Sequence, residues 1–586
     1  MNTSKNIRKT PLYLKNMLSR LDGDQRDALA GIFAPTVVGV PLADARRDVC
    51  VLPSGEIRSY ECPRHEQDGV CAYLSSLDGG ISWTRGYSRG KMNACTYIED
   101  GGVYLAPEER EDGLYIKRSL IGPDDGAPER IKVASGSFAC SFMPMQSPFG
   151  RRIWFTSERV VGSGLEDRAT VPVFAYSDDL GDSWVYREIP FLAPAEIRYP
   201  DEGLRWCRGS GNEPHAVLLE DGKMMMIIRT PLDAFYVSYS FDGGDSWSEP
   251  APSSFYGTNT TAYLLRLSDG RILALWNNTV PLAQPDHRKT RPSVDAYVMN
   301  GMCEGGFTNR DAAHAAISAD GGKSFVGYRE ILLNPIRANT DFRYIGGVRD
   351  TFDKSVHQFQ AFELPLGKVL VVLGQNAAAR RMVIFDVDWL YETARSEDFV
   401  ENALSCISTH TYVKSIYGHS AHVSGNGHCS LNRAPSAYLM PDPDGSLNEV
   451  LSISKHHDER LHNDIGGATW NFPMKKAGRV TLRLKLAEQS ARVVLSDRWY
   501  NPSDPHAAER SPFSFELGAS SVGTDYVTLT LDYDVEAKST RVSADGRLLF
   551  TVPMARPVPT GISYLVLQCA TEGDSEGFYV RSLSAE

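Results

Sequence analysis

The 586-residue chain predicts an all-β fold of six repeated blades followed by a second, strand-rich region. Three observations carry this. A short phrase occurs four times, as Ser76-Leu77-Asp78-Gly79-Gly80-Ile81-Ser82-Trp83, Ser177-Asp178-Asp179-Leu180-Gly181-Asp182-Ser183-Trp184, Ser240-Phe241-Asp242-Gly243-Gly244-Asp245-Ser246-Trp247 and Ser318-Ala319-Asp320-Gly321-Gly322-Lys323-Ser324-Phe325. A second mark, Leu-x-x-Gly followed by an apolar strand, occurs at 52–55, 219–222, 267–270 and 364–367. Third, residues from about 430 onward alternate with period two, as in Arg479-Val480-Thr481-Leu482-Arg483-Leu484, the pattern of half-buried strands.

In the repeated phrase Asp can fold its carboxylate onto backbone N–H groups. Gly supplies a positive φ, and the aromatic ring packs beneath a tight strand-to-strand turn. Repetition at intervals of tens of residues marks a repeated unit. The Leu-x-x-Gly turns would join the first two strands of a blade, and the longer phrase the last two. Together they place blades near 45–85, 90–120, 135–190, 212–250, 258–330 and 355–390, with the second blade carrying neither mark cleanly.

Before the blades, residues 1–35 carry Leu12, Leu14, Met17, Leu18 and Leu21 at helical spacing and predict a helical extension. The blades then occupy 36–390. Residues 391–430 read as a helix leaving the repeats and a Ser/His/Gly-rich linker, and 431–586 as a β-sandwich.

Composition narrows the partners. A net charge of −12 argues against nucleic acid, which needs a basic face. No apolar run is long enough to span a bilayer, and no h-region follows the charged N-terminus, so a cytoplasmic address is expected. The ten cysteines are scattered without C-x-x-C pairs, which predicts reduced core residues rather than a zinc site.

The four phrases fit S-x-D-x-G-x-[ST]-[WF], and in this the chain resembles the sialidase (neuraminidase) superfamily of Asp-box, or BNR-repeat, proteins over roughly residues 40–385. The resemblance implies a six-bladed β-propeller with a central pocket, here followed by a C-terminal β-sandwich of jelly-roll or concanavalin-like type. It implies an exo-acting glycoside hydrolase that releases a terminal acidic sugar, sialic acid first among them, from a glycan, with no metal or organic cofactor. The segment from Asn212-Glu213-Pro214-His215 to Ile228-Arg229 is similar to the family's catalytic hairpin, in which a Glu opens one strand and an Arg closes the next. By the same resemblance Arg47 and Arg310 join Arg229 as a clamp on the substrate carboxylate, through bidentate charge-assisted hydrogen bonds. Asp68 would protonate the leaving group and Glu213 would act as base or nucleophile activator.

The chain departs from the family at the nucleophile. The position aligned with the family's Tyr is Gln358, in Val356-His357-Gln358-Phe359. Three outcomes follow. Tyr344 could supply the nucleophile from the preceding loop; water could attack directly, with Glu213 or His357 as base; or the site hydrolyses nothing. Two other classes stay open: a polysaccharide lyase acting beside a uronic acid, with His357, His215 or Tyr344 as base, and a non-catalytic glycan-binding propeller. Asn277-Asn278, after Trp276, could meet sugar hydroxyls or simply end a strand.

Overall fold

Aspartate and glycine decide where the strands turn. In each of the four Asp-boxes the Ser hydroxyl donates to the Asp carboxylate and accepts the N–H of the Gly four residues on; the Asp also accepts from the box's second Ser. In the first box Ser76 Oγ lies 2.8 Å from Asp78 Oδ1, Gly80 N 2.8 Å from Ser76 Oγ, and Ser82 N 3.0 Å from Asp78 Oδ1. The same bonds recur around Asp179, Asp242 and Asp320. The glycines are obligatory: a Cβ on Gly244, at φ +102°, would lie 2.1 Å from a ring carbon of Phe174. The indoles of Trp83, Trp184 and Trp247 each donate to the carbonyl of the box's second turn residue.

A computed structural model describes residues 10–43, 48–61, 70–162, 169–191, 212–219, 222–230, 234–257, 260–280, 310–337, 355–374, 378–413, 432–455, 465–487, 490–569 and 574–586. Six antiparallel sheets follow one another along the chain. The first holds Val49–Val51, Ile57–Tyr60, Cys71–Ser76 and Thr84–Ser88, and the second Thr96–Ile98, Val103–Arg110, Gly113–Ser119 and Glu129–Ser135. The third holds Ser137–Ala139, Ile153–Val161, Ala169–Ser177 and Val185–Glu188, with Met145–Gln146 as a short extra strand. The fourth holds Asn212–Leu218, Met224–Arg229, Ala234–Ser240 and Ala251–Tyr256, and the fifth Tyr263–Arg266, Ile272–Trp276, Ala312–Ser318 and Val326–Leu333.

The sixth differs from the sequence expectation. Gln360–Glu363, Lys368–Leu373 and Arg381–Asp386 take their outer strand from Thr36–Gly39, so the ends of this region share one sheet. The second sheet also runs past 120 to Ser135, because a turn without the consensus does the work of an Asp-box. Ser119 Oγ donates to Asp125 Oδ2 at 2.6 Å and accepts the Gly122 N–H at 3.1 Å.

Neighbouring sheets share apolar cores. Ile116 and Phe155 join second to third, Phe174 and Met226 third to fourth, and Ile227 and Leu264 fourth to fifth. Leu273 and Val371 join fifth to sixth, Leu370 and Ile57 sixth to first, and Cys50 and Tyr104 first to second. Each fully buried large side chain contributes about 1.5–3 kcal/mol, so the six shared clusters hold the sheets against one another. All six sheets border a cavity of about 280 Å³, five of them through their first strands at Val49, Thr96, Val217, Tyr263 and Gln360 and the third through Met145 of its short extra strand. Two helices, Leu12–Arg20 and Gly23–Gly31, replace the single helix expected at the N-terminus; Met17 and Leu29 pack beneath the first sheet's turns, and Pro11 and Tyr13 border the cavity.

In the stretch expected to be helix and linker, a 3-10 turn at Val387–Tyr391 precedes short strands. Arg395–Glu397 and Ile407–Ser408 pair with Ser575–Ala585 and Gly466–Lys475 of the C-terminal sheets. Those two antiparallel sheets, built around Ala477–Leu486 and Ile562–Cys569, share one core that includes Trp470, Leu482, Leu529 and Leu565. They also grip the fifth sheet: Val280 N bonds to Trp499 O and Trp499 N to Asn278 O, each at 2.9 Å. Among the described residues no helix is long and apolar enough to cross a membrane.

Candidate active site

The fourth sheet's first hairpin brings Glu213 and Arg229 together. Asn212 lies opposite Arg229 in the ladder, and the strand slips by a bulge before His215 pairs with Ile227. The bulge leaves Glu213 at φ +42°, a conformation that costs a residue with a Cβ and has to be held by its surroundings. Its holder is Glu158, on the second strand of the third sheet, whose Oε2 accepts the Glu213 N–H at 2.7 Å. The Glu213 carboxylate in turn forms a buried ion pair with the Arg229 guanidinium, the two side chains only 3% and 6% exposed. Breaking so dry a charge pair by removing one partner is costly, because a buried charge loses its counter-charge.

A second polar cluster forms where the sixth sheet begins. Arg310 Nη1 lies 2.8 Å from His357 Nε2, and His357 Nδ1 lies 3.0 Å from Ser355 Oγ. A guanidinium only donates, so Nε2 carries the ring's lone pair and the proton sits on Nδ1, toward Ser355. The Gln358 amide nitrogen also approaches Nε2, at 3.4 Å. In this arrangement His357 is a seat for Arg310, with its lone pair engaged by the guanidinium. Gln358 sits at φ +68°, its N–H bonded to Thr261 Oγ1 at 3.2 Å. The neighbouring Asp311 carboxylate is held on both oxygens: His410 Nε2 lies 3.3 Å from Oδ2, and Asn334 donates to Oδ1 at 2.9 Å.

Both clusters occupy the same position in their sheets. Glu213 opens the fourth sheet's first strand, Thr261 and Gln358 stand just before those of the fifth and sixth, and Asp48 just before that of the first. All are buried. None of Glu213, Arg229, Arg310, His357 or Gln358 borders the 280 Å³ cavity, which lies farther along the same strands.

Arg47, Asp68 and Tyr344 lie outside the described residues, so the first-sheet arginine, the acid and the loop tyrosine are not among the groups placed here. His215 is a core residue. It is 1% exposed, accepts the Leu264 N–H on Nδ1, and packs against Phe142 and Tyr263; burial pushes its pKa down to about 3. Asn277 ties strands together, donating to the carbonyls of Ala312 and Val356 at 2.7 and 2.9 Å, and Asn278 donates to Asp497 O. Sequence reading missed Glu158, Thr261 and Ser355. A polar triplet inside an apolar strand, Thr156-Ser157-Glu158, was the one available signal. No group of three or more His, Cys, Asp or Glu among the described residues is disposed to hold a metal ion.

Parts of the chain are similar to known proteins. Residues 141–342 match the BNR repeat-like domain family. A stretch of 95 residues is 33% identical to the anhydrosialidase of Macrobdella decora, covering 16% of this chain and 10% of that protein, so the chain spans about a tenth of that relative's length. Trypanosoma rangeli sialidase in complex with sialic acid aligns over 95% of this chain and 94% of its own, at 11% identity and TM-score 0.33. A protein of unknown function from Dyadobacter fermentans aligns over 61% of this chain and 98% of its own, at 14% identity and TM-score 0.35. With four formed Asp-box turns and a match to the BNR repeat-like domain over 141–342, the chain is similar to the BNR-repeat proteins of the sialidase superfamily.

Proposed function

We propose that the six sheets are the blades of a six-bladed β-propeller spanning about 36–390, that the C-terminal sheets form a β-sandwich domain, and that the protein is an exo-acting glycoside hydrolase releasing a terminal acidic sugar, sialic acid in the first instance. The observation that carries the reading is the buried Glu213–Arg229 ion pair at the head of an inner strand, with Arg310 at the head of a fifth-sheet strand and bonded to His357 at the start of the sixth. Arg229 and Arg310 each carry the five-donor guanidinium fork that matches a substrate carboxylate. Arg47 would complete the clamp and Asp68 would protonate the leaving oxygen.

Gln358 offers no nucleophile, so the bond is broken in one of two ways. Glu213 deprotonates Tyr344, which attacks the anomeric carbon and retains configuration. Alternatively Glu213 deprotonates a water and configuration inverts. His357 is not the base in this scheme, because its lone pair is engaged by Arg310. The same fact, with the burial of His215, counts against a lyase that would use either histidine as base.

The test is product analysis. Sialylated and uronate-terminated glycans are incubated with the protein and released sugars are weighed. Free sialic acid supports the proposal. A product lighter by one water is sorted by ultraviolet absorption: an unsaturated uronide absorbs and denotes a lyase, whereas an anhydro sugar does not. Binding without turnover denotes a lectin-like propeller. The anomer seen by NMR in the first minutes separates retention from inversion.

A further inference from the structure

Cys50 lies on the first strand of the first sheet, and Cys95 immediately precedes the first strand of the second. Each residue is 2% exposed and each carries a free thiol. The two strands pack side by side, the thiols lie close enough to interact, and both residues border the 280 Å³ cavity shared by the six sheets. Sequence spacing concealed this, because 45 residues and a whole sheet separate the two positions.

We propose that Cys50 and Cys95 are an oxidative modification site, at which a peroxide entering the cavity converts the two thiols to a disulfide that staples the first sheet to the second. The roles of the two sulfurs differ. The hydrogen bond from Cys95 holds the Cys50 thiol below its ordinary pKa against the opposing effect of burial, with Arg58 assisting, whereas burial pushes Cys95 well up. Cys50 is therefore the sulfur that ionises first. Its thiolate attacks one peroxide oxygen, the O–O bond breaks, and hydroxide leaves to be protonated to water, giving a sulfenic acid. The Cys95 sulfur then attacks the sulfenic sulfur, its proton leaves with the displaced hydroxide as a second water, and the disulfide forms. Two thiols and one hydrogen peroxide thus become one disulfide and two waters. Cavity access matters because neither thiol is reached from the outer surface, and hydrogen peroxide is little larger than water.

The full-length reduced protein is treated with hydrogen peroxide, free thiols are then alkylated, and the digest is mapped by mass spectrometry. A peptide pair joined through Cys50 and Cys95, lighter by two hydrogens and released by a phosphine reductant, is expected, with a melting temperature that rises on oxidation and returns on reduction. Cys95→Ser should leave Cys50 as a sulfenic acid trapped by dimedone, and Cys50→Ser should leave Cys95 unoxidised. Should either variant fail to fold, phenylarsine oxide, which bridges adjacent thiols, should protect both residues of the wild type from alkylation together. Recovery of both cysteines as alkylated thiols after peroxide, or independent alkylation in the presence of the arsenical, overturns the proposal. No readout depends on glycosidase activity.

Discussion

Gln360 imitates a strand. Its side-chain amide donates to the Val49 carbonyl at 2.6 Å, and its amide oxygen accepts the Val49 N–H at 3.1 Å. A side chain from the sixth sheet thereby makes the two-bond exchange that a backbone neighbour would make on the inner edge of the first. Residues 311 apart in sequence are held by it across the junction of the two sheets.

Gln360→Leu keeps the volume and removes both bonds. Two backbone groups are then left in a buried place, each costing about 1–3 kcal/mol. Urea unfolding should show a loss of roughly 2–5 kcal/mol in the same range of cost per group. A change within experimental error would mean that the sixth-to-first junction rests on its apolar cluster alone.

Glu213 and Glu158 should separate chemistry from positioning. Glu213→Gln is expected to lower kcat by about 10²–10⁴ if the carboxylate accepts the proton. Glu158→Gln keeps an acceptor for the Glu213 N–H and should retain most activity, whereas Glu158→Ala removes it and lets the φ +42° backbone relax. A Glu158→Gln variant as inactive as Glu158→Ala would show that its charge, rather than its grip on Glu213, is what counts.

Acid should unfold the protein in part through two histidines. Burial pushes His215 and His314 each down to about 3. The unfolded imidazole titrates near 6.5, so the contribution is complete above that pH and is lost as pH falls toward 3, because the unfolded chain takes up protons that the folded one refuses. Each shift is worth on the order of 5 kcal/mol at most. Stability measured by urea from pH 7 to 4.5 should fall, and His215→Gln should flatten the slope by up to one proton. An unchanged slope would remove His215 as a contributor.

Asp125 should behave as an Asp-box residue despite lying outside any consensus. Asp242→Ala removes the acceptor of Ser246 N at 2.9 Å, and Asp125→Ala that of Ser119 Oγ at 2.6 Å. Both should cost about 1–3 kcal/mol in thermal or chemical unfolding. A silent Asp125→Ala would mark the resemblance between the two turns as superficial.

Sequence alone determined where this chain turns, and through that its all-β class. Ser, Asp, Gly and Trp act within eight residues of one another, so the physics of an Asp-box is local and can be read in order. The Leu-x-x-Gly turns are equally local: Gly55, Gly222, Gly270 and Gly367 all adopt the positive φ their position requires. The Glu213–Arg229 pair was legible for a related reason, since one hairpin brings its members together. What sequence could not carry was any contact made between sheets. The Glu158 clamp on Glu213, the His357 seat for Arg310, the Gln360 exchange with Val49, the borrowed strand Thr36–Gly39 and the Cys50–Cys95 contact each join residues from distant segments. Their partners are chosen by how the sheets pack around a common cavity, and that packing is decided by the sum of six apolar cores rather than by any short phrase.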